Sequence, residues 1–518
     1  MGKSELNQPS EPNRRHAALV NLVGGYVNLA LVTISGVFLL PLYLHYIDHR
    51  LYGAWAGSGD IIAWLGILDL GFASLMIQRM SDAYGKQNDR LMAQYFATGI
   101  LVLSALVVIL NIVALILSQY IPGLMHISGS AASVLSISFV LSFIATGLGI
   151  INNGLVGFSF ALQKTTVPNL LTIVCGVLRI FCTIWLLTLG KGLMAIALSY
   201  VLYNGSLLIG NVIYAYYLYR LKIKYPFCPN LGILKEFFMI SPPMFFAKFG
   251  NAVMGKSSAA VVAIFLRPEL ATILVVTGKM ADIIRMFLDR FGGATFAGFA
   301  HLVGSGQFTK ARRVYEELVS IHTSISVLMT CVYIATNQWF VTVWVGPDQF
   351  GGQWLTFMLG LSVLASSRSS LLEYLYGATG QIVRTAYVIL SESVLQIPFI
   401  FIFLFLMRLP GLPLANTLTS IGAALLVYIM TCRELSADPE EKTRINYLKW
   451  GVYITAFTVS AFLGNYKWSF DGLKPILFLS FISCITMSII ISDPYLFNQT
   501  KSFLKNAKGL IPNFQPHI

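Results

Sequence analysis

The stretch AQYFATGILVLSALVVILNIVALILS (residues 93–118) contains no charged side chain. A helix of this length crosses the hydrocarbon core of a lipid bilayer, which needs about 20 apolar residues. Of the 518 residues in the chain, 56% are hydrophobic and 11% are charged, and the mean hydropathy is +0.73. Soluble domains carry about 25% charged residues. The composition therefore predicts an all-α polytopic membrane protein.

Comparable apolar runs recur along the whole chain and predict about fourteen transmembrane helices. They lie at about 18–46, 52–79, 93–118, 131–160, 168–189, 192–219, 241–266, 270–300, 315–345, 352–380, 386–407, 412–432, 449–465 and 474–491.

The basic residues of the connecting loops predict the orientation of these spans. With the N-terminus in the cytoplasm, most Lys and Arg residues outside the spans fall in cytoplasmic loops. The outer loops hold only Arg50, Lys191, Arg267, Arg408, Lys467 and Lys474. This asymmetry follows the positive-inside rule and predicts that both termini are cytoplasmic. The net charge of +13 thus reflects topology and contact with anionic lipid, and nucleic acid is not expected as a partner.

Two polar connections, 219–237 and 432–449, divide the predicted spans into groups of six, six and two. We predict an N-terminal lobe (1–219), a cytoplasmic linker (220–240), a C-terminal lobe (241–432), and a last segment (433–518) with two spans and a cytoplasmic tail. A weak similarity between 69–90 and 289–313 favours two related six-helix lobes.

Thirteen charged residues remain inside the predicted spans. The cations are Arg179, Lys248, Lys256, Lys279, Arg285, Arg290 and Arg368, and the acids are Asp60, Asp69, Asp282, Asp289, Glu373 and Glu392. Each isolated charge at a helix centre costs roughly 2.5–3.5 kcal/mol on insertion scales. These side chains must therefore pair with one another or face water.

The eighth span concentrates these charges in the sequence GKMADIIRMFLDRFGG (278–293). At about 100° per residue, its five charged side chains lie on one helix face. Four cations fall near the middle of four different spans, which predicts the wall of a hydrated cationic cavity. These are Arg179, Lys256, Arg285 and Arg368.

Structural explanations for the same charges stay open at this stage. Arg285 has the spacing of an intrahelical ion pair with both Asp282 and Asp289. Lys248 and Arg290 lie near enough to span ends to reach the membrane surface. The acids either neutralise neighbouring cations or bind a coupling proton or sodium ion.

The sequence gives little support for a metal site, an enzyme activity or a bound cofactor. The six cysteines form no CxxC pair and no cluster with histidine, which indicates free thiols and predicts no metal site. No Walker lysine motif and no HExxH motif occurs, and no enzyme signature or cofactor is expected.

Three segments resemble bacterial oligosaccharide repeat-unit (O-antigen-type) flippases of the multidrug/oligosaccharidyl-lipid/polysaccharide exporter superfamily. The stretch 39–90 resembles their first two spans, with Pro41, YGAWA at 52–56 and LGILDLGFAS at 65–74. GSGQFTKARRVYEEL (304–318) resembles the cytoplasmic loop after span eight. TVWVGPDQFGGQ (342–353) resembles the outer loop after span nine.

This resemblance implies two six-helix lobes around a cationic cavity that opens alternately to each side of the bacterial inner membrane. The implied cargo is a polyprenyl-pyrophosphate-linked oligosaccharide, exported for a glycan polymerase in lipopolysaccharide biosynthesis. Lys256, Arg285, Arg368 and Arg179 would hold its anionic head, with Lys279, Arg290 and Lys248 as further substrate-binding candidates.

Three alternatives belong to other functional classes. A multidrug or cation exporter of the same superfamily is expected to have an acidic cavity, whereas seven membrane cations occur here. A membrane glycan polymerase or ligase is expected to have a large outer loop, and every predicted outer loop is short. A non-transporting scaffold leaves the intramembrane charges without a role.

Overall fold

The computed structural model describes residues 11–66, 72–223, 225–237, 258–435, 447–464 and 488. Within these ranges the regular structure is helical, with a single 3-10 turn at Pro347–Gln349 and no strand. Nine of the described helices are long and apolar enough to cross a membrane. The predicted class, an all-α polytopic membrane protein, is confirmed.

The helices are numbered in chain order. They are α1 (Glu11–Tyr46), α2 (His49–Gly66), α3 (Phe72–Gly85), α4 (Asp89–Ser118), α5 (Ile121–Leu124), α6 (Ser130–Ala161), α7 (Thr166–Thr188), α8 (Leu193–Lys222), α9 (231–237), α10 (Ser258–Phe265), α11 (Pro268–Gly304), α12 (Phe308–Trp344), α13 (Gln353–Ala378), α14 (Ile382–Met407), α15 (Gly411–Leu435) and α16 (Tyr447–Gly464).

The chain forms two compact units, Met1–Thr272 and Ile273–Ile518. The sequence places the change of lobe earlier, in the linker at 220–240. The segment 258–272 packs on α2 and so belongs to the first unit, and the predicted lobes 1–219 and 241–432 stay a prediction. Gly53 and Gly57 of α2 allow this approach, since a Cβ at Gly53 would collide with the carbonyl oxygen of Pro268.

In the first unit, α6 packs against α4 and α8, and α3 packs against both α4 and α6. Glycines permit these close contacts. A Cβ at Gly99 would collide with Met76, and a Cβ at Gly157 would collide with Ile77. Small residues at helix crossings are the usual solution in membranes, where packing and not water exclusion drives helix association.

The segment before the seventh span is attached to the first unit. The Asn230 side chain accepts a hydrogen bond from the Gly232 amide at 2.7 Å and so caps α9. Glu236 forms an ion pair with Arg79 and accepts a hydrogen bond from the Tyr95 hydroxyl at 3.0 Å. The part of the predicted linker at 225–237 is therefore held against α3 and α4.

In the second unit, α13 packs against α12, α14 and α15. Helix α16, which corresponds to the predicted thirteenth span, packs on α12 through Tyr453 and Ala456. The predicted fourteenth span, 474–491, lies outside the described residues except for position 488.

Candidate functional site

Arg285 and Asp289 lie one turn apart on α11, near the middle of that helix. The Arg285 Nε and Asp289 Oδ2 atoms are 3.8 Å apart, and the side chains are 27% and 36% exposed. Among the residues that the structure describes, Arg285 makes this ion pair and no hydrogen bond. A guanidinium group has five N–H donors, so Arg285 keeps most of its donors for another anion.

Two acids from neighbouring helices lie close to this pair. Glu392 of α14 is 2% exposed, and its Oε1 accepts a hydrogen bond from the Ser420 hydroxyl of α15 at 2.7 Å. Glu373 of α13 accepts a hydrogen bond from the Ser369 hydroxyl at 3.0 Å. Glu373 and Glu392 are near enough to each other to interact electrostatically, and Asp289 and Arg285 are near enough to act on them.

Arg368 has a different environment, although the sequence offers it no partner at helical spacing. It lies on α13 and donates hydrogen bonds to the Val319 carbonyl oxygen at 3.1 Å and to the Thr323 hydroxyl, both on α12. These contacts connect two helices of the second unit. An anionic ligand at Arg368 would share the guanidinium with these acceptors.

Arg179 lies on α7 of the first unit between aromatic rings. Its guanidinium carbon is 4.9 Å from the ring centroid of Tyr200 and 5.7 Å from that of Tyr203, both on α8. Cation–π contacts of this kind stabilise a desolvated cation by about 2 kcal/mol. Arg179 is thus held in place without an acidic partner among the contacts of the described residues.

Asp60 of α2 is bound to the first turn of another helix. Its Oδ2 accepts a hydrogen bond from the backbone N–H of Ala260 in α10 at 3.0 Å. The N-terminus of a helix carries partial positive charge and free N–H groups, so it stabilises a carboxylate. Asp60 therefore joins α2 to α10.

The remaining predicted residues fall into two groups. Arg290 and Asp282 are exposed on α11 and Lys279 is partly exposed, and both Lys279 and Asp282 take part in further contacts. The other predicted residues, Lys248, Lys256 and Asp69, lie outside the described residues. The structure thus brings together Arg285, Asp289, Glu373 and Glu392.

Sequence reasoning missed the hydroxyl groups that bind these charges. Ser369 lies four residues before Glu373, and that spacing is a signal for a contact on one helix face. Ser420 and Thr323 are far from their partners in sequence, and no local pattern identifies them.

Comparison with known proteins places the chain in a family. The family model for polysaccharide biosynthesis protein matches residues 52–358, more than half of the chain. No curated protein sequence matches the chain.

Solved structures share the fold at low sequence identity. The inward-facing conformation of a multidrug resistance MATE family transporter of the MOP superfamily superposes with a TM-score of 0.65 at 13% identity, over 81% of this chain and 99% of that chain. A mutant of the Vibrio cholerae MATE transporter VcmN gives a TM-score of 0.58 at 17% identity, over 82% and 98% of the two chains. The outward-facing conformation of a multidrug resistance MATE family transporter gives 0.55 at 15% identity, over 83% and 97%. The chain is therefore a multi-pass membrane protein with the fold of these transporters, and it belongs to the polysaccharide biosynthesis protein family.

Proposed function

We propose that this protein moves a polyprenyl-pyrophosphate-linked oligosaccharide across the bacterial inner membrane by alternating access, with both termini in the cytoplasm. The family match to polysaccharide biosynthesis supports the cargo class, and the transporter fold supports a transport role over a catalytic one. A glycan polymerase would then receive the exported repeat unit.

The environment of Arg285 carries the proposal. This guanidinium is about one-quarter exposed, its N–O distance to Asp289 is a long 3.8 Å, and most of its donors are unused among the described residues. A pyrophosphate group offers several anionic oxygens that match the planar fork of an arginine. We infer that Arg285 binds the anionic head of the cargo, while Asp289 orients the guanidinium.

The position of Arg285 in the membrane strengthens this inference. A cation near the middle of a predicted membrane span is costly unless an acid, a ligand or water satisfies its donors, and Asp289 satisfies Arg285 only in part. A carbonyl oxygen and a hydroxyl group already bind Arg368, and two tyrosine rings already contact Arg179. These contacts reduce the free-energy cost of both cations without a ligand. We therefore rank Arg285 first among the described cations as a contact for cargo.

Substitution of Arg285 tests this function. Arg285→Ala should abolish export of the repeat unit at normal protein abundance, and Arg285→Lys should retain part of it, because the charge survives but the bidentate geometry is lost. Export is measured as surface polysaccharide in a deletion strain that carries each variant. Arg384→Ala is the matched control, since Arg384 is 60% exposed and forms an ion pair with Glu434.

The double variant Arg285→Ala, Asp289→Ala separates cargo binding from internal pairing. If Arg285 serves only to neutralise Asp289, removal of both side chains should restore export. Normal export by this double variant would exclude Arg285 as a cargo ligand.

A multidrug exporter is the second candidate, because the similar solved structures are multidrug transporters. It is distinguished by its substrate. Expression of the wild-type protein would then protect cells from cationic drugs, and deletion of the gene would leave surface polysaccharide unchanged.

A further inference from the structure

A cavity of about 350 Å³ lies in the first unit, where three loops that the sequence predicts on the outer side of the membrane come together. Its lining residues are Arg50, His126, Leu266, Arg267, Pro268 and Glu269. Ligand cavities in proteins usually measure about 300–1,000 Å³. This cavity is therefore large enough for a small polar headgroup.

Hydrogen bonds between the loops fix the shape of the cavity. Nη2 of Arg50 donates to the carbonyl oxygen of His126 at 2.6 Å. Nε2 of His126 donates to the carbonyl oxygen of Ile264 at 2.9 Å, since a carbonyl oxygen can only accept. His126 has a φ of 54°, in the left-handed region that residues other than glycine seldom adopt. Such strain persists only where the surroundings hold the residue, and it is common at functional sites.

The cavity contains two arginines and one acid. Nε of Arg50 is 3.5 Å from Oε1 of Glu269, and this ion pair offsets the charge of Arg50. Arg267 is exposed, and its side chain forms no hydrogen bond or ion pair with the described residues. All five N–H donors of Arg267 and the Nη1 donors of Arg50 are thus available to an anion.

The topology of the chain does not explain these cations. The positive-inside rule disfavours Lys and Arg in outer loops, and the predicted outer loops hold few basic residues. Two of them, Arg50 and Arg267, nevertheless line this one cavity. The ion pair with Glu269 accounts for Arg50 as a contact between loops, and it does not account for Arg267.

Apolar side chains lie next to the cations. Leu266 lines the cavity and precedes Arg267, and Phe265 before it is 56% exposed. Leu124, at the end of α5 and just before the loop that contributes His126, is 44% exposed. Exposed apolar side chains at the end of a membrane helix contact the interfacial region of the bilayer. A ligand with both an anionic group and an apolar chain fits this combination.

We propose that this cavity binds the phosphate group of a lipid headgroup at the outer surface of the membrane. Arg267 and Nη1 of Arg50 bind the phosphate oxygens, because charge-assisted hydrogen bonds from guanidinium groups suit such anions. The lipid is either a resident anionic phospholipid or the pyrophosphate-linked cargo after it has crossed the membrane. Only the second source rests on the proposed function.

Native mass spectrometry of the purified full-length protein tests this site by the affinity of the first lipid bound. The probes are phosphatidylglycerol and farnesyl pyrophosphate, and diacylglycerol is the control lipid without phosphate. Farnesyl pyrophosphate is titrated in an Arg285→Ala background, so that the proposed cargo contact on α11 does not contribute.

Arg267→Ala should weaken binding of the phosphate lipid at least about tenfold, as expected when a charged hydrogen-bond donor is lost. Diacylglycerol should bind more weakly than the phosphate lipid to the wild-type protein. Lys191→Ala is the matched control and should bind lipid as the wild type does. Lys191 is an exposed cation of another predicted outer loop in the same unit, and it does not line the cavity.

Substitution of Glu269 should have the opposite effect. Glu269→Gln removes the carboxylate that competes with the ligand for Arg50, so affinity for the phosphate lipid should rise about threefold, as expected for a partly exposed ion pair. If the cavity served only to hold the loops together, both Glu269→Gln and Arg267→Ala would leave lipid affinity unchanged or lower it together.

Three results would overturn the site. Wild-type affinity in Arg267→Ala would exclude its guanidinium as a phosphate ligand. Equal affinity for diacylglycerol would show that apolar surface alone binds the lipid. Lower affinity in both Glu269→Gln and Arg267→Ala would show that binding depends on the folded shape of the loops and not on their charge.

The same titrations separate the two lipid sources and the proposed function. Tighter Arg267-dependent binding of farnesyl pyrophosphate would identify the cargo, and tighter binding of phosphatidylglycerol would identify a resident lipid. If binding depends on Arg267 but deletion of the gene leaves surface polysaccharide intact, the proposed function fails and the site stands. If deletion abolishes surface polysaccharide but Arg267→Ala binds lipid as the wild type does, the site fails and the proposed function stands.

Discussion

Asp60 in the first unit and Glu392 in the second are both acids inside predicted membrane spans, and their surroundings differ. Asp60 is partly exposed and accepts a hydrogen bond from a backbone N–H at the start of α10. Glu392 is buried, receives one hydroxyl hydrogen bond and is near enough to Glu373 to interact with it electrostatically. A helix N-terminus stabilises an ionised carboxylate, whereas a neighbouring acid stabilises a protonated one. The comparison teaches that helix packing decides the partners of a membrane acid, and its position within a predicted span does not.

In the first unit, we expect the contact between α2 and 258–272 to be the most sensitive to substitution. Gly53→Ala places a Cβ against the carbonyl oxygen of Pro268, and backbone atoms cannot move aside as a flexible side chain does. We expect a loss of about 3 kcal/mol from such overpacking, measured as lower thermal stability of the purified protein. Gly59→Ala on the same helix is the control, since a Cβ there meets nothing within 4 Å. Equal stability of the two variants would show that α2 and 258–272 do not pack this closely.

In the second unit, substitution of Ser420 tests how much its hydroxyl group stabilises the environment of Glu392. Ser420→Ala removes the hydrogen bond to Oε1 and leaves a buried carboxyl oxygen without a donor, at a cost of about 2 kcal/mol in stability. Ser393→Ala is the matched control, because Ser393 is equally buried and donates only to the carbonyl oxygen of Ile389 in its own helix. The two thermal unfolding midpoints should differ, with Ser420→Ala the lower. The same midpoint for both variants would remove Ser420 as a determinant of the Glu392 environment.

The smallest expected effect is the difference in stability between variants of the two acids themselves. Asp60→Asn keeps an oxygen acceptor for the Ala260 amide but loses the charge at the helix N-terminus, and we expect a loss of about 1 kcal/mol. Glu392→Gln should cost less, since the glutamine side-chain oxygen can still accept the hydrogen bond from Ser420. Thermal unfolding at neutral pH measures both. A larger loss for Glu392→Gln would mean that the carboxyl group of Glu392 stabilises the fold more than that of Asp60, and it would reverse the comparison.

Local patterns in the sequence were sufficient for some elements. The run 93–118 predicts a span, and α4 covers Asp89–Ser118. The spacing of Arg285 and Asp289 makes an intrahelical ion pair one of the alternatives that the sequence leaves open, and the two side chains form one. Both features depend on residues within a few turns of each other, so periodicity and hydropathy are enough to identify them.

Other features depend on contacts between distant parts of the chain. The sequence offers Arg368 no partner, yet a carbonyl oxygen and a hydroxyl group of α12 bind it. Asp60 is an acid of uncertain role in the sequence, and its partner is a backbone amide 200 residues away. Backbone groups and serine or threonine hydroxyls carry no sequence signal of their own, so such partners appear only when helices pack.

Hydropathy and charge distribution by themselves determined that the chain is a helical membrane protein, because a backbone in lipid must satisfy its hydrogen bonds within each helix. They also identified most of the charges that the membrane must accommodate. Only the tertiary structure decided which groups the described charges contact. Glu373 and Glu392 lie on different helices, and the packing of α13, α14 and α15 brings them near enough to interact electrostatically. Electrostatic interactions act through distances in space, and sequence separation does not determine these distances.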